Sequence, residues 1–242
     1  MTGFTLTLSS LAGRTGRGVR IAIVDSGVHA EHPHVGGISG GVAIDESGAF
    51  TGDVVDRLGH GTAVAAAIRE KAPDAELFAV KVFDRALATT GRTLVDAIRW
   101  AAGERVQIIN LSLGTRNQDH AAALTAAVQY ALANGALVVS PAPQPDAAWL
   151  PGGIGGVIGV EVDWNSPRDT CVVHRDEHAR MRITASAYPR PIPGVPPERN
   201  LRGLSFAVAN ATGFLALVLE GHTLSGAVSL AGILENAARQ SS

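Results

Sequence analysis

A chain of 242 residues, 46% of them hydrophobic, can bury a sizeable core and fits one large domain, 1–242, better than two small ones. Its formal charge of -2 at pH 7, with no long run of either sign, leaves no electrostatic footprint for nucleic acid or an anionic membrane. One cysteine, Cys171, excludes an internal disulfide, residues 1–18 lack the basic start and apolar core of a signal peptide, and the apolar run 214–219 is too short to span a bilayer, so a soluble cytoplasmic protein is expected.

Residues 18–24 (GVRIAIV) form a continuous β-branched run closed by Asp25-Ser26-Gly27, the pattern of a buried parallel strand whose carboxyl end delivers a polar residue into a turn. Residues 42–44 read as a short strand and 45–53 as a loop. Gly59-His60-Gly61-Thr62 then leads into an alanine-rich helix over 63–68, stopped by Pro73. A strand over 77–82 precedes a helix over 93–102 with a Thr93/Asp96 capping arrangement. The strand 107–113 (QIINLSL) ends at Gly114, a helix covers 121–133 with Asn134-Gly135 as its stop, and 136–139 is a further strand. This alternation predicts an α/β fold: a doubly wound, mainly parallel sheet flanked by helices.

Beyond it, 140–151 (SPAPQPDAAWLP) is a proline-laced loop, 156–162 a strand, and 171–174 with 181–184 an antiparallel pair. Residues 190–198, with their prolines, form an extended connection. The stretch 201–219 (LRGLSFAVANATGFLALVL) is apolar on nearly every side and reads as a buried helix with a polar start at Ser205; a last helix is expected over 224–238.

Each polar candidate has two readings. Asp25 is either a turn former or a buried carboxylate that orients a base, and His60 is either a capping histidine or that base. Ser205 is either an N-cap or a nucleophile beside the unpaired N–H groups of a helix N-terminus, where an oxyanion is stabilised. Together they have the chemistry of acyl transfer: a hydroxyl attacks when an imidazole takes its proton and a carboxylate fixes the tautomer. Cys171, His174 and His178 have a spacing that could hold zinc, but only three ligands lie close together, and no metal or cofactor is expected. His32 and His34 flank Pro33 and read as loop packing, and no acidic loop stands out as a calcium cage.

IAIVDSGV, GHGTAVAAAI, INLSLGT and GLSFAVANATG resemble, in this order, the aspartate, histidine, substrate-strand and serine motifs of the subtilisin-like serine proteases, the subtilase family. The resemblance runs over 18–213 and implies peptide-bond hydrolysis through an acyl-enzyme. It makes Ser205 the nucleophile, His60 the general base and then acid, and Asp25 the residue that orients the imidazole. Ser112, Leu113 and Gly114 match the strand edge that pairs with a peptide or unfolded polypeptide substrate. The chain departs from the pattern at Leu204, where the family usually has threonine, at Ala209, usually proline, and at Ala63, often histidine. Pro143-Gln144 stands where the family places Gly-Asn, so Gln144 either supplies the second oxyanion donor or is a solvent-facing loop amide. With only the short stretch before Asp25 ahead of the aspartate motif, the chain is expected to fold without a pro-domain or to receive one in trans, and the resemblance is then closer to compact cytoplasmic subtilases, including those that process precursor peptides. The alternative from another class is a pseudoprotease, a peptide-binding or scaffold module.

Overall fold

A computed structural model describes residues 3–144, 148–223 and 230–239. Its strands are β1 (Phe4–Thr7), β2 (Arg20–Asp25), β3 (Gly40–Ile44), β4 (Phe50–Thr51), β5 (Glu76–Lys81), β6 (Ile108–Leu111), β7 (Leu137–Pro141), β8 (Ile158–Asp163), β9 (Thr170–Arg175) and β10 (Met181–Ser186). The helices are α1 (His60–Lys71), α2 (Gly91–Gly103), α3 (Ala121–Ala133), α4 (Leu204–Leu219) and α5 (Leu230–Arg239). All ten strands join one sheet in the order β1-β9-β10-β8-β7-β6-β2-β5-β3-β4. The run from β10 to β3 is parallel; antiparallel pairing is confined to β1 with β9, β9 with β10, and β3 with β4.

Helices cover both faces, as the alternation of elements requires. Along β2, Ile21 and Ile23 face the core under α1, α4 and α5, whereas Ala22 and Val24 face the core under α2 and α3. The period of two therefore sends Asp25, next in phase with Ile23, toward α1 and α4. In β6 the same parity puts Asn110 on the α4 side, where its side-chain carbonyl accepts a hydrogen bond from Thr212 Oγ1 at 2.9 Å. The chain fills the sheet outward from β2, toward β3 and β5 on one side and β6 to β8 on the other. Its topological switch thus lies at the carboxyl ends of β2 and β6, where open α/β sheets assemble their sites.

Several boundaries differ from the sequence expectation. The two-residue β4 lies inside the expected loop 45–53, and β1 has no counterpart among the expected strands; neither carries a local strand pattern, and each exists through a partner distant in sequence or across a turn. α1 begins at His60 and runs to Lys71, longer than 63–68. α2 is capped by Thr90, whose Oγ1 accepts from Thr93 N at 3.1 Å, in place of the expected Thr93/Asp96 arrangement; Thr93 is already inside the helix. Ser205 is the second residue of α4, and the N-cap is Gly203 with φ 138°, a left-handed value that favours glycine. α5 begins at Leu230, and the expected helical residues 224–229 lie outside the described ones. Among the described residues, no helix is long and apolar enough to cross a membrane.

Candidate active site

The carboxyl end of β2 and the first turn of α1 meet at a short hydrogen bond: His60 Nδ1 lies 2.7 Å from Asp25 Oδ1. Asp25 is fully buried and the His60 side chain is 16% exposed. Ser26 N donates to the same carboxylate oxygen at 2.8 Å, and Ser26 Oγ lies 3.2 Å from it with its single proton shared with Asp56 Oδ1. Asp25 Oδ2 is buried with no hydrogen-bond partner among the described residues. The approach is close because Gly61 follows the histidine: a Cβ there would stand 2.1 Å from Gly27 O and 3.2 Å from Asp25 Cβ.

A second carboxylate holds the start of α1. Asp56 Oδ1 accepts from Leu58 N (2.9 Å), Gly59 N (2.8 Å) and Ser26 Oγ (2.9 Å), and Oδ2 accepts from Thr62 N (2.8 Å) and Thr62 Oγ1 (2.7 Å). Ser26 Oγ in turn accepts from Gly61 N at 2.9 Å, so Asp25, Ser26, Asp56 and the first turn of α1 form one network. Burial raises the Asp56 pKa, but the hydrogen bonds from Thr62, Leu58 and Ser26 outweigh it and hold the carboxyl below its ordinary value. For His60, burial lowers the pKa; the Asp25 hydrogen bond and the charges of Asp25 and Asp56 outweigh it, leaving the imidazole above its ordinary 6.5. Ser26 and Asp56 were not singled out from the sequence. Their only local signal is an acidic residue four positions before His60, spacing that also fits an ordinary turn.

Ser205 stands at the N-terminal turn of α4. Phe206 N and Ala207 N bond back to Gly203 O, at 3.0 and 3.4 Å, so the turn closes behind Ser205, whose own N–H has no backbone partner among the described residues. Phe206, the residue after Ser205, packs on the His60 ring, with centroids 5.6 Å apart, so the N-terminal turn of α4 meets the first residue of α1. The Ser205 hydroxyl donates to Ser112 O at 3.2 Å and does not bond to His60 in this state. Ser112 Oγ donates back to Ser205 O at 3.4 Å and accepts from Asn110 Nδ2 at 3.0 Å, tying the end of β6 to α4.

Ser112, Leu113 and Gly114 continue beyond β6 with no ladder partner among the described residues. The chain then turns to pair Thr115 with Leu150, through bonds of 2.8 and 2.9 Å, which draws residues 149–153 against the strand edge. Gln144 is exposed three residues after β7 and immediately precedes 145–147, which lie outside the described residues. His32 and His34 pack ring to ring at 5.2 Å in the loop after Asp25. Cys171 is buried, and the alternation along β9 turns His174 to the opposite face of the sheet. Among the described residues no group of three His, Cys, Asp or Glu side chains could hold a metal ion.

The chain is 28% identical over 228 residues to subtilisin E of Bacillus subtilis (strain 168), covering 87% of this chain and 58% of that protein. Subtilisin Savinase of Lederbergia lenta is 34% identical over 137 residues, 53% of this chain and 48% of that protein. The chain thus spans about 58% of the length of subtilisin E and the similar curated relatives. Among solved structures, a lanthipeptide protease superposes with a TM-score of 0.65 at 21% identity, covering 86% of this chain and 77% of that one. The prenylagaramide maturation protease PagA gives 0.65 at 23%, covering 88% and 80%; both likenesses concern the fold. The family model for subtilases matches residues 16–142, a span that carries Asp25 at the end of β2, His60 at the start of α1 and the Ser112 edge after β6. By that match, over more than half of its length, the chain belongs to the subtilase family.

Proposed function

We propose that the chain is a serine endopeptidase that hydrolyses peptide bonds through an acyl-enzyme at Ser205. The observation that carries this reading is the 2.7 Å bond between His60 Nδ1 and the buried Asp25, with the next residue after Ser205, Phe206, packed on the same ring at a helix N-terminus. Asp25 keeps the proton on Nδ1, which leaves the Nε2 lone pair as the base. The reading requires the Ser205 hydroxyl to leave Ser112 O and reach that lone pair, an adjustment of the kind a bound substrate completes. Ser205 Oγ attacks the scissile carbonyl while Nε2 takes its proton, and the charge formed on the carbonyl oxygen faces the free Ser205 N–H and the positive end of α4. Nε2 then gives the proton to the leaving amine. Water attacks the ester through the same base, releasing the acid and restoring the hydroxyl.

The acyl half of the substrate is proposed to add as a strand to Ser112, Leu113 and Gly114, whose main-chain groups have no ladder partner. Gln144 is the proposed second oxyanion donor. The proposed substrate class is a precursor peptide, supported by fold neighbours described as a lanthipeptide protease, the nisin leader peptidase NisP and a prenylagaramide maturation protease. The Ser205 hydroxyl bonded to Ser112 O favours the rival reading, a peptide-binding pseudoprotease.

A fluorophosphonate probe separates the two. Labelling of the folded protein that disappears in Ser205→Ala is the result expected of the protease, and an unlabelled folded protein belongs to the pseudoprotease. In a peptide-hydrolysis assay Gln144→Ala should slow turnover on the order of 10²-fold; unchanged turnover removes Gln144 from the oxyanion site.

A further inference from the structure

Beside the candidate catalytic residues lies a cavity of 670 Å³ that the hydrolytic step does not use. Thr62, Ala63 and Ala66 of α1 form one wall, and Gly59, the residue before His60, borders it. A second wall comes from the segment 189–201 that leads into Ser205, and the third from the loop after Asp25. The cavity thus adjoins the chain on the approach to both His60 and Ser205, while none of Ser112, Leu113 and Gly114 lines it.

We infer that this cavity receives the part of a peptide substrate beyond the scissile bond and selects for an acidic side chain there, an inference that rests on the protease reading. The side of the bond follows from the chemistry. The acyl half is held at the β6 edge by Ser205, and the amine departs toward the imidazole that protonates it, the side on which α1 forms the cavity wall.

The charge preference follows from the lining. Arg190 and Arg199 supply guanidinium groups; Arg199 is in no ion pair among the described residues, and Arg190 makes one long bond, 3.5 Å, to His34 O. His29, His32 and His34 add imidazoles that can donate hydrogen bonds whether or not they are charged. The carboxylate in the lining is Asp56, and both its oxygens are already occupied by the turn into α1. Glu70, whose charge Arg190 also feels, is engaged by Arg168 in a two-toothed pair. Donors therefore outnumber available acceptors, the arrangement that a carboxylate completes. Ile192, Val195 and Leu201 are 45%, 37% and 49% exposed along the same cavity, an apolar flank for the stem of a glutamate or for a neighbouring apolar residue.

The test uses quenched peptides identical before the cut, with Glu or Gln scanned through the first positions after it. A Glu peptide is expected to be cleaved with kcat/KM about tenfold above its Gln partner, the effect of one charge-assisted hydrogen bond. The ratio should collapse toward one in Arg199→Gln, an exposed position that the fold tolerates, and in Arg190→Gln. Equal rates for every Glu/Gln pair overturn the inference. A second arm does not depend on turnover: fluorescence anisotropy of a labelled leaving-side peptide with Ser205→Ala protein should give about tenfold tighter binding for Glu than for Gln, and equal affinity overturns the inference. Absence of fluorophosphonate labelling would remove the protease reading alone, and the anisotropy arm would still decide whether the cavity takes an acidic peptide.

Discussion

His60 answers to two carboxylates that do different work. Asp25 bonds the ring directly and keeps its tautomer, whereas Asp56 contributes charge from a distance and spends its hydrogen bonds on the turn that presents the ring. Because the net effect raises the imidazole pKa, the base is lost as pH falls through a value above 6.5. The acid limb of the kcat/KM profile should therefore lie above the ordinary histidine value. Asp56→Asn should move that limb to lower pH, since a positive imidazolium loses a negative neighbour. It should also cost about 1–3 kcal/mol of stability, because Thr62 N–H is then left facing an amide group. A pH–rate profile and urea unfolding of the two proteins check both expectations. The linkage runs the other way for folding: a raised His60 pKa contributes stability that is complete below the unfolded value and is lost as pH rises through the folded one.

Among the elements, α1 is the one on which the site depends. It begins at His60, the proposed base, lies against β2 at one end and against α4 along its length, and carries alanines at 63, 65, 66 and 67 that let the helix pack close. Gly61 is the point of contact with β2, where any side chain would collide with Gly27 O. Gly61→Ala should push the first turn of α1 off the sheet and break the 2.7 Å bond to Asp25, with a loss of turnover on the order of 100-fold from misplacement of the base. Far-ultraviolet circular dichroism should remain native while the rate of fluorophosphonate labelling falls; an unaffected labelling rate would show that the contact does not position His60.

At the scale of the molecule, α1, α4 and β10 are joined by a buried cation. Lys71 Nζ donates to Asn210 Oδ1 at 2.6 Å, and Asn210 Nδ2 donates to Ser186 O at 2.9 Å and Tyr188 O at 3.0 Å. Burial, aided by the charge of Arg168, pushes the amine from 10.5 down to about 8. Above about 8 the folded chain has released a proton that the unfolded chain retains, so stability should rise with pH by up to about 1.4 kcal/mol per unit. Cys171 sets the upper end of that window. Burial pushes its thiol upward from 9.0, so above that value the unfolded thiol ionises while the folded one does not, and this opposes the gain. Urea unfolding between about pH 8 and 9 should show the increase in the native chain and lose it in Lys71→Met; the same slope in both proteins would exclude Lys71 as its source.

The sequence by itself determined the α/β class and the family, because continuous β-branched runs, alternating helices and short ordered motifs are local signals that survive without the partners they will meet. It also put Asp25 at the end of a buried strand and Ser205 near the start of a buried helix, since apolar runs and the polar residues that end them are visible in one dimension. What the fold decided alone is everything made by closure over long sequence distances. Thr90 took the cap of α2 because its hydroxyl had the reach, β1 became a strand because β9 lay open beside it, and Ser26 and Asp56 joined the site because the turn into α1 folds back on β2. The cavity of arginines and histidines gathers three segments, around residues 29–34, 56–66 and 189–201, and none of them carries a mark of the others. Such contacts depend on the packing of whole elements, whose geometry is set by burial rather than by any neighbouring residue.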